Sequence, residues 1–248
     1  METFSLIQDS LDQTLTLEAL EVASDAVGSI TRMDAAKLWD EKSGIFMTGM
    51  ERGEAVGFQA ALKAVGFPTT LVADHELPQL HESFQVQRID LKQEVLVLTD
   101  ALGRVRSRPL TDLVFLSAGW IRRIACKTEW SQHFGLSNDG RRSSMLLNER
   151  IYHEEPEMLF RMDFFFWSEP NRLHIQLTDE NAAFFQGAVV RLKKADALQA
   201  LLAAMADLLP PQRLNSVLRK PSIDKVYPSL MSYEKEIRWH FHRLEPDT

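Results

Sequence analysis

The chain has 248 residues, of which 45% are apolar and 25% are charged, and its formal charge is −7 at pH 7. This average globular composition argues against global disorder, and the length allows one large core or two ordinary ones, of which we expect two. The negative charge argues against a broad nucleic-acid surface, because such surfaces bind phosphates through many Lys and Arg side chains.

The chain contains a single cysteine, Cys126, so no disulfide can form within it. Because Cys126 follows Ile121, Ile124 and Ala125 in a strand-like context, we expect a buried, unreactive thiol. The first residues lack a basic segment followed by an apolar one, and no run approaches the roughly 18 apolar residues of a membrane helix. We therefore expect a cytoplasmic protein with no membrane insertion.

The first part of the chain predicts a strand followed by two helices. Residues 3–8 alternate as a short strand, and Thr16 is the expected N-cap of the first helix. Thr31 followed by Asp34 marks the start of a second helix, because a capping hydroxyl and an acid three residues later can satisfy each other's backbone N–H groups.

A second strand, a third helix and a third strand follow. The apolar run at 45–47 predicts the strand, and a helix begins at Glu51. The expected inward face of this helix consists of Ala55, Phe58, Leu62 and Val65. Gly66 and Pro68 end the helix, and the β-branched run at 69–72 predicts the last strand. Residues 1–76 thus predict the order β-α-α-β-α-β.

Three stretches of this region also carry a family resemblance, at 33–41, 49–55 and 60–66, which read MDAAKLWDE, GMERGEA and AALKAVG. They resemble helix-packing and helix-ending positions in the C-terminal domain of the bacterial ribosomal stalk protein. The N-degron adaptor of the Clp protease, which has the same fold, is similar as well. The resemblance implies a small α+β interaction module over residues 1–78.

The binding residues of those families do not carry over to this chain. The stalk domain meets its factors with basic residues on and near its first helix, where this chain has Glu18, Glu21 and Asp25. The Clp adaptor holds an amino terminus with an Asn-Asp pair and a His, and only Asp9 matches this set. The resemblance therefore implies protein binding without specifying the partner.

Residues 77–88 read as a linker, and we place a boundary near Gln79, between modules at 1–78 and 84–248. Beyond it the pattern changes to short strands, predicted at 85–91, 94–99, 104–110, 113–118 and 120–126. Their spacing favours a meander or a small barrel capped by a helix, as in pleckstrin-homology-like modules. The strand at 104–110 has the polar pattern of a sheet edge.

Residues 127–148 form the least regular segment of the sequence. Asn138, Asp139 and Gly140 are a strong turn signal, followed by Arg141 and Arg142. Loops of this length are functional or disordered, so the segment is either a flexible insertion or a binding surface. In the second case we expect contacts from Trp130, Arg141 and Arg142.

The remaining chain predicts a hairpin followed by helices. Strands at 157–167 and 172–177 flank a four-residue loop, and the dense aromatic run at 164–167 is either buried core or an exposed contact site, with core favoured. A helix is expected at 192–209, and Ser232 is the expected cap of a last helix. The whole chain is thus expected to be α+β.

Sequence motifs give no support for catalysis. The seven histidines lack metal-site spacing, and the nearest ligand cluster is His153, Glu154 and Glu155. A nucleophile elbow and a phosphate-binding Gly-Lys-Ser/Thr are both missing. We therefore predict no catalytic residue, no metal and no cofactor, and the binding residues stay unknown.

Two functional hypotheses follow from these observations. The first is a non-catalytic binding or adaptor protein that acts on another protein, with its oligomeric state open. The alternative is an enzyme of an unrecognised family with a site between the two modules, to which His133, His153 or Glu154 would contribute. A smaller possibility is nucleic-acid binding through Arg122, Arg123, Arg141 and Arg142.

Overall fold

The computed structural model describes residues 2–41, 43–134, 146–220 and 225–244, with the backbone alone at 127–134 and 146–153. Within these ranges the chain is α+β, as expected. The helices are α1 (Leu17–Val27), α2 (Arg32–Glu41), α3 (Arg52–Ala64), α4 (Ala195–Ala206), α5 (Ser216–Arg219) and α6 (Leu230–Arg243).

The strands divide among three sheets. The first sheet contains β1 (Phe4–Gln8), β2 (Ile45–Met50) and β3 (Thr69–Ala73). The second contains β4 (Ser83–Gln85), β8 (Leu113–Phe134), β9 (Leu146–Phe166), β10 (Glu169–Leu177) and β13 (Val226–Tyr227). The third contains β5 (Arg88–Lys92), β6 (Val95–Thr99), β7 (Val105–Pro109), β11 (Ala183–Phe185) and β12 (Ala188–Val190).

The β-α-α-β-α-β order of the first 76 residues is confirmed, and the local signals that predicted it are in place. The Thr16 hydroxyl accepts the Ala19 N–H at 3.2 Å, and Gly66 has a φ of +81° after α3. Thr31 and Asp34 cap each other through bonds of 3.1 and 3.2 Å. β1 lies between β2 and β3 and is antiparallel to both.

The strands beyond residue 83 form two five-stranded sheets, in the orders β13-β8-β9-β10-β4 and β12-β11-β5-β6-β7. The expected meander describes only β5, β6 and β7, which pair antiparallel in sequence. β7 lies at an edge, as its polar pattern predicted. No closed barrel is found among the strands that the structure describes.

β8 corrects one sequence-based prediction, because the strands expected at 113–118 and 120–126 are a single strand that continues to Phe134. Gly119, which suggested a break, is needed for close packing. A Cβ at this position would lie 2.5 Å from the Tyr227 ring and 3.0 Å from the Tyr233 ring. The glycine therefore lets two buried tyrosines approach the strand.

The buried apolar side chains form two large clusters, one drawn from Leu6 to Phe67 and one from Val86 to Ile237. α6 contacts both parts of the chain. Its Tyr233 and Ile237 lie in the second cluster, while Trp239 packs on a small third cluster that includes Ile7 and Ile45. The division into modules at 1–78 and 84–248 stays a prediction.

The N-terminus of α6 lies earlier than the sequence suggested. Ser229, not Ser232, is the N-cap, and its hydroxyl accepts the Ser232 N–H at 3.1 Å. The helix gains a turn in which Ser232 itself is buried. Within the described part of the chain, no helix has both the length and the apolar character to span a bilayer.

Candidate functional site

The longest hairpin of the molecule projects beyond its sheet. β8 and β9 pair without interruption from Arg122↔Met158 to Phe134↔Leu146. The neighbouring strands stop short of this segment, since β13 pairs only with Trp120 and Ile121 of β8, and β10 pairs with β9 from Phe160 onward. We call residues 122–134 and 146–158 the arm. At roughly 3.3 Å per residue it extends about 40 Å.

The arm corrects the expectation of an irregular segment at 127–148. Residues 127–134 and 146–148 belong to β8 and β9. The predicted contact residue Trp130 pairs in register with Arg150, within the part described by its backbone alone. Arg141 and Arg142 lie outside the described residues.

The base of the arm is exposed to solvent. Ile124 is 71% exposed, and its register partner Pro156 is also exposed. Cys126 is exposed too, so the expectation of a buried thiol is wrong. Ile121 is buried where β13 pairs with β8, but Ile124 lies beyond that point, where no further strand pairs with the ribbon among the described residues. A strand-like pattern alone could not reveal that difference.

The sequence candidates for other chemistry also fall on the arm. In register, Lys127 faces His153, Cys126 faces Glu154 and His133 faces Leu147. These residues therefore lie along the projecting ribbon and are not brought to a site between the predicted modules. Arg122 is exposed, and Arg123 donates to Glu157 at 2.7 Å, so an acid compensates its charge.

Both outer edges of the arm are open. In an antiparallel ribbon each strand directs half of its backbone N–H and C=O groups toward its partner and half outward. No further strand pairs with those outward groups among the residues that the structure describes. Such an edge is a template for pairing with another extended chain. In the absence of one, water forms the hydrogen bonds to the outward N–H and C=O groups.

An apolar groove of about 280 Å³ lies at the opposite end of the β9 strand. Its walls include Leu80, Phe165, Pro170 and Trp167, and the Trp167 side chain is 60% exposed. The aromatic run at 164–167 therefore contains both buried and exposed side chains. Phe164 and Phe166 are buried, as the core interpretation predicted, whereas that interpretation is wrong for Trp167.

A buried charge network lies between the second sheet and α6. Asp163 is fully buried and accepts hydrogen bonds from Arg161 at 2.7 Å and from Tyr233 at 2.9 Å. Arg172 lies 3.6 Å from the same carboxylate. Burial, and then the charge of Arg161, lower the pKa of His174 to about 4, so this imidazole is neutral at pH 7.

A second network is centred on Glu236, which is fully buried on α6. Lys225 donates to the Ser216 hydroxyl at 2.7 Å, a spacing that a nucleophile and its base would have. The same ammonium, however, donates to Glu236 at 2.5 Å. Burial alone would raise the pKa of Glu236, but a hydrogen bond with His240 and the charge of Lys225 hold it far below its usual range.

The Ser216 hydroxyl in turn donates to Glu236 at 2.7 Å, so its proton is directed at the carboxylate and not at Lys225. Ser216 and Lys225 are both hydrogen-bonded to Glu236, and this geometry is that of a structural network and not of a serine activated by a lysine base. Among the described residues, no three or more His, Cys, Asp or Glu side chains come together in a group that could hold a metal ion.

A third feature is a groove lined by Arg213, Arg219 and Arg243. Sequence reasoning missed it, since these residues lie in segments that read as a polar loop and a helix end.

Comparisons with protein-family models, with curated proteins and with solved structures each return no match. The function must therefore be argued from the surface features of this chain.

Proposed function

We propose that this protein is a non-catalytic binding protein that holds another polypeptide along its arm. The observation that supports this proposal is the projection of β8 and β9 beyond every neighbouring strand, from Arg122↔Met158 to Phe134↔Leu146. The single cysteine cannot form a disulfide within the chain, and its thiol is exposed. The cysteine content therefore gives no indication of an oxidising compartment. We therefore place this activity in the cytoplasm.

The expected mode of binding is the addition of a strand to one edge of the arm. A two-stranded ribbon is only marginally stable in water, because it has few side chains to bury. A third strand would satisfy one row of outward backbone groups, and side chains on alternate positions would provide specificity. A docked partner would thus form hydrogen bonds with the arm and bury part of its exposed surface.

The test uses a shortened arm that leaves the rest of the fold in place. Replacing residues 124–156 with Asn-Gly joins Arg123 to Glu157 through a two-residue hairpin turn, and the existing ion pair closes it. The removed residues at the arm base are mostly exposed, so we expect little change in the melting temperature.

Tagged full-length and shortened chains are then purified from the source organism, and the proteins that accompany them are identified. We expect a partner that the full chain retains and the shortened chain loses. Light scattering of the pure chain tests whether that partner is a second copy of itself. Recovery of the same proteins with both chains would contradict the proposal.

A further inference from the structure

The two faces of the arm differ in composition. Alternate positions of a strand share one face of a ribbon, and directly opposite positions share it too. The even-numbered positions of the arm, from Arg122↔Met158 to Phe134↔Leu146, therefore belong to one face, which we call the apolar face. Its residues other than polar and charged ones are Ile124, Cys126, Trp130, Phe134, Leu146, Tyr152, Pro156 and Met158. The odd-numbered positions include Arg123, Lys127, Glu129, Glu149, Glu155 and Glu157, so the ribbon is amphipathic.

The apolar face continues a face that is buried in the body of the protein. Trp120 and Phe160 are the register pair just before the arm, their rings lie 5.4 Å apart, and they are 8% and 0% exposed. Two pairs further along, Ile124 is 71% exposed and Pro156 is exposed as well. The cover that buries the first pair therefore ends at the base of the arm.

We propose that the apolar face is covered by the arm of a second copy of this chain. The two arms pack face to face and run in opposite directions. The body already covers the face at Trp120 and Phe160, so a second arm can approach only with its tip toward the base of the first. A second arm has the same length and the same face, and a two-fold axis makes such an interface self-complementary.

The charged residues of β9 fit this two-fold arrangement. The pair Thr128↔Tyr152 lies at the middle of the arm. Arg150 and Glu154 lie two positions before and two positions after Tyr152 in the sequence, and Glu154 is exposed. A two-fold axis at the central pair brings position 154 of each copy opposite position 150 of the other. Opposite charges placed in this way fix the register between two copies and disfavour other partners.

The area of the apolar face is sufficient for a reversible dimer. A standard interface buries about 800 Å² per partner from about 20–30 residues, which is about 30–40 Å² per residue. Seven positions on each strand of the arm then bury about 500 Å² per copy and about 1,000 Å² in total, close to the minimum for a specific interface. We therefore expect a dimer that dissociates at about micromolar concentrations.

The composition of the other face favours a second copy over a lipid surface. Segments that lie on membranes carry Lys and Arg on their polar side, which anionic headgroups attract. The odd-numbered positions of the arm carry four acidic residues and only two basic ones, Arg123 and Lys127. The face that would point toward the headgroups is thus acidic.

This dimer uses the face of the arm, whereas the proposed function uses its edges. Face-to-face packing leaves the outward N–H and C=O groups of both arms open, so a partner strand can still be added. Self-association is measured on the pure chain and partner retention in an extract of the source organism. Failure of one proposal therefore leaves the other standing.

The first experiment is sedimentation equilibrium of the full chain from about 1 to 100 μM. We expect a monomer–dimer equilibrium that Ile124→Lys weakens at least about ten-fold, because a charge would be buried between the arms. The matched control Ala125→Lys adds the same charge at the next position, on the other face, and should dimerise as the parent does. A parent that stays monomeric at about 100 μM, or an Ile124→Lys variant that dimerises as the parent does, would overturn the proposal.

Exchange of charges tests the two-fold arrangement itself. Glu154→Arg and Arg150→Glu should each weaken the dimer, because like charges then lie opposite each other at both related places. The double variant should recover most of the parent affinity. A double variant weaker than either single variant would overturn the antiparallel packing. Thermal unfolding confirms that each variant is folded before it is compared.

Two further measurements exclude other origins of self-association. The chain with the shortened arm should be monomeric, and a dimer of that chain would place the interface elsewhere and overturn the proposal. Vesicles of phosphatidylglycerol should not bind the parent chain. Vesicle binding that Ile124→Lys abolishes would show that lipid covers the apolar face, and the assignment to a second copy would be wrong.

Discussion

The packing of α6 and β13 over β8 can be tested at Gly119. In Gly119→Ala the added Cβ would lie 2.5 and 2.9 Å from carbon atoms of the Tyr227 ring and 3.0 Å from the Tyr233 ring. Both tyrosines are fully buried, and their hydroxyls donate to Glu236 at 2.7 Å and to Asp163 at 2.9 Å. The rings therefore cannot move aside without straining a hydrogen bond to a buried carboxylate.

The expected loss of stability combines three contributions. Overpacking a core costs about 1–3 kcal/mol. Loss of one hydrogen bond to a charged group adds about 1.5–3 kcal/mol, while replacing glycine in a strand returns about 0.5–1 kcal/mol through the unfolded chain. The net expectation is about 3 kcal/mol, which for a chain of this size lowers the melting temperature by about 6–12 °C.

Thermal unfolding followed by circular dichroism measures this effect. The matched control is Gly57→Ala, on the exposed side of α3, where an added Cβ meets nothing within 4 Å. That variant should keep or raise the melting temperature, since alanine favours a helix over glycine by about 1 kcal/mol. A fall of less than about 2 °C in Gly119→Ala would refute the packing argument.

Three further predictions follow from single side chains. The pKa of His174 lies at about 4 in the folded protein, below the ordinary 6.5, so the unfolded chain binds a proton first as the pH falls. The contribution of neutral His174 to the free energy of unfolding is therefore complete above pH 6.5 and decreases by about 2 kcal/mol by pH 5. His174→Gln should flatten the pH dependence of the free energy of unfolding. An unchanged slope would contradict it. Cys126 should react with iodoacetamide in the native protein within minutes, as mass spectrometry detects, and labelling only after denaturation would show that the thiol is covered. Trp239→Phe removes the hydrogen bond from the indole N–H to the Gln8 carbonyl at 2.6 Å. Amide hydrogen exchange in β1 should therefore be faster in the variant than in the parent, while exchange in β6 should be unchanged. Equal exchange rates for β1 in the variant and the parent would show that α6 does not hold the first sheet.

The first 76 residues could be predicted because their boundaries are set by local chemistry. Thr16 and the Thr31–Asp34 pair satisfy N–H groups at helix starts, and Gly66 adopts the left-handed conformation at a helix end. None of these signals needs a contact with a distant part of the chain. The order of elements therefore follows from the sequence alone.

The continuity of β8 could not be predicted from local signals. Gly119 in an apolar run suggests a break, and the reason for the glycine lies more than 100 residues later, in Tyr227 and Tyr233. The projecting arm could not be predicted from the sequence for a related reason. Strand patterns are recognised by an apolar face that becomes buried, whereas Ile124, Cys126 and Glu154 on the arm are exposed whatever their polarity.

The arginine groove was equally invisible in the sequence. Arg213, Arg219 and Arg243 are spread over 30 residues, and folding brings them to the lining of one cavity. Sequence composition describes an acidic chain, which argued only against a broad nucleic-acid surface and could not locate a basic groove. Local charge depends on folding, which net charge does not describe.

The binding role of the arm is tested most directly by photo-crosslinking in cells of the source organism. A photoreactive phenylalanine derivative replaces Ile124, which is 71% exposed on the arm, or Leu102, which is 78% exposed on the turn before β7. We predict a discrete crosslinked protein from position 124 and none from position 102. The absence of any adduct at 124, or identical adducts at both positions, would contradict the assignment of the arm as the binding element.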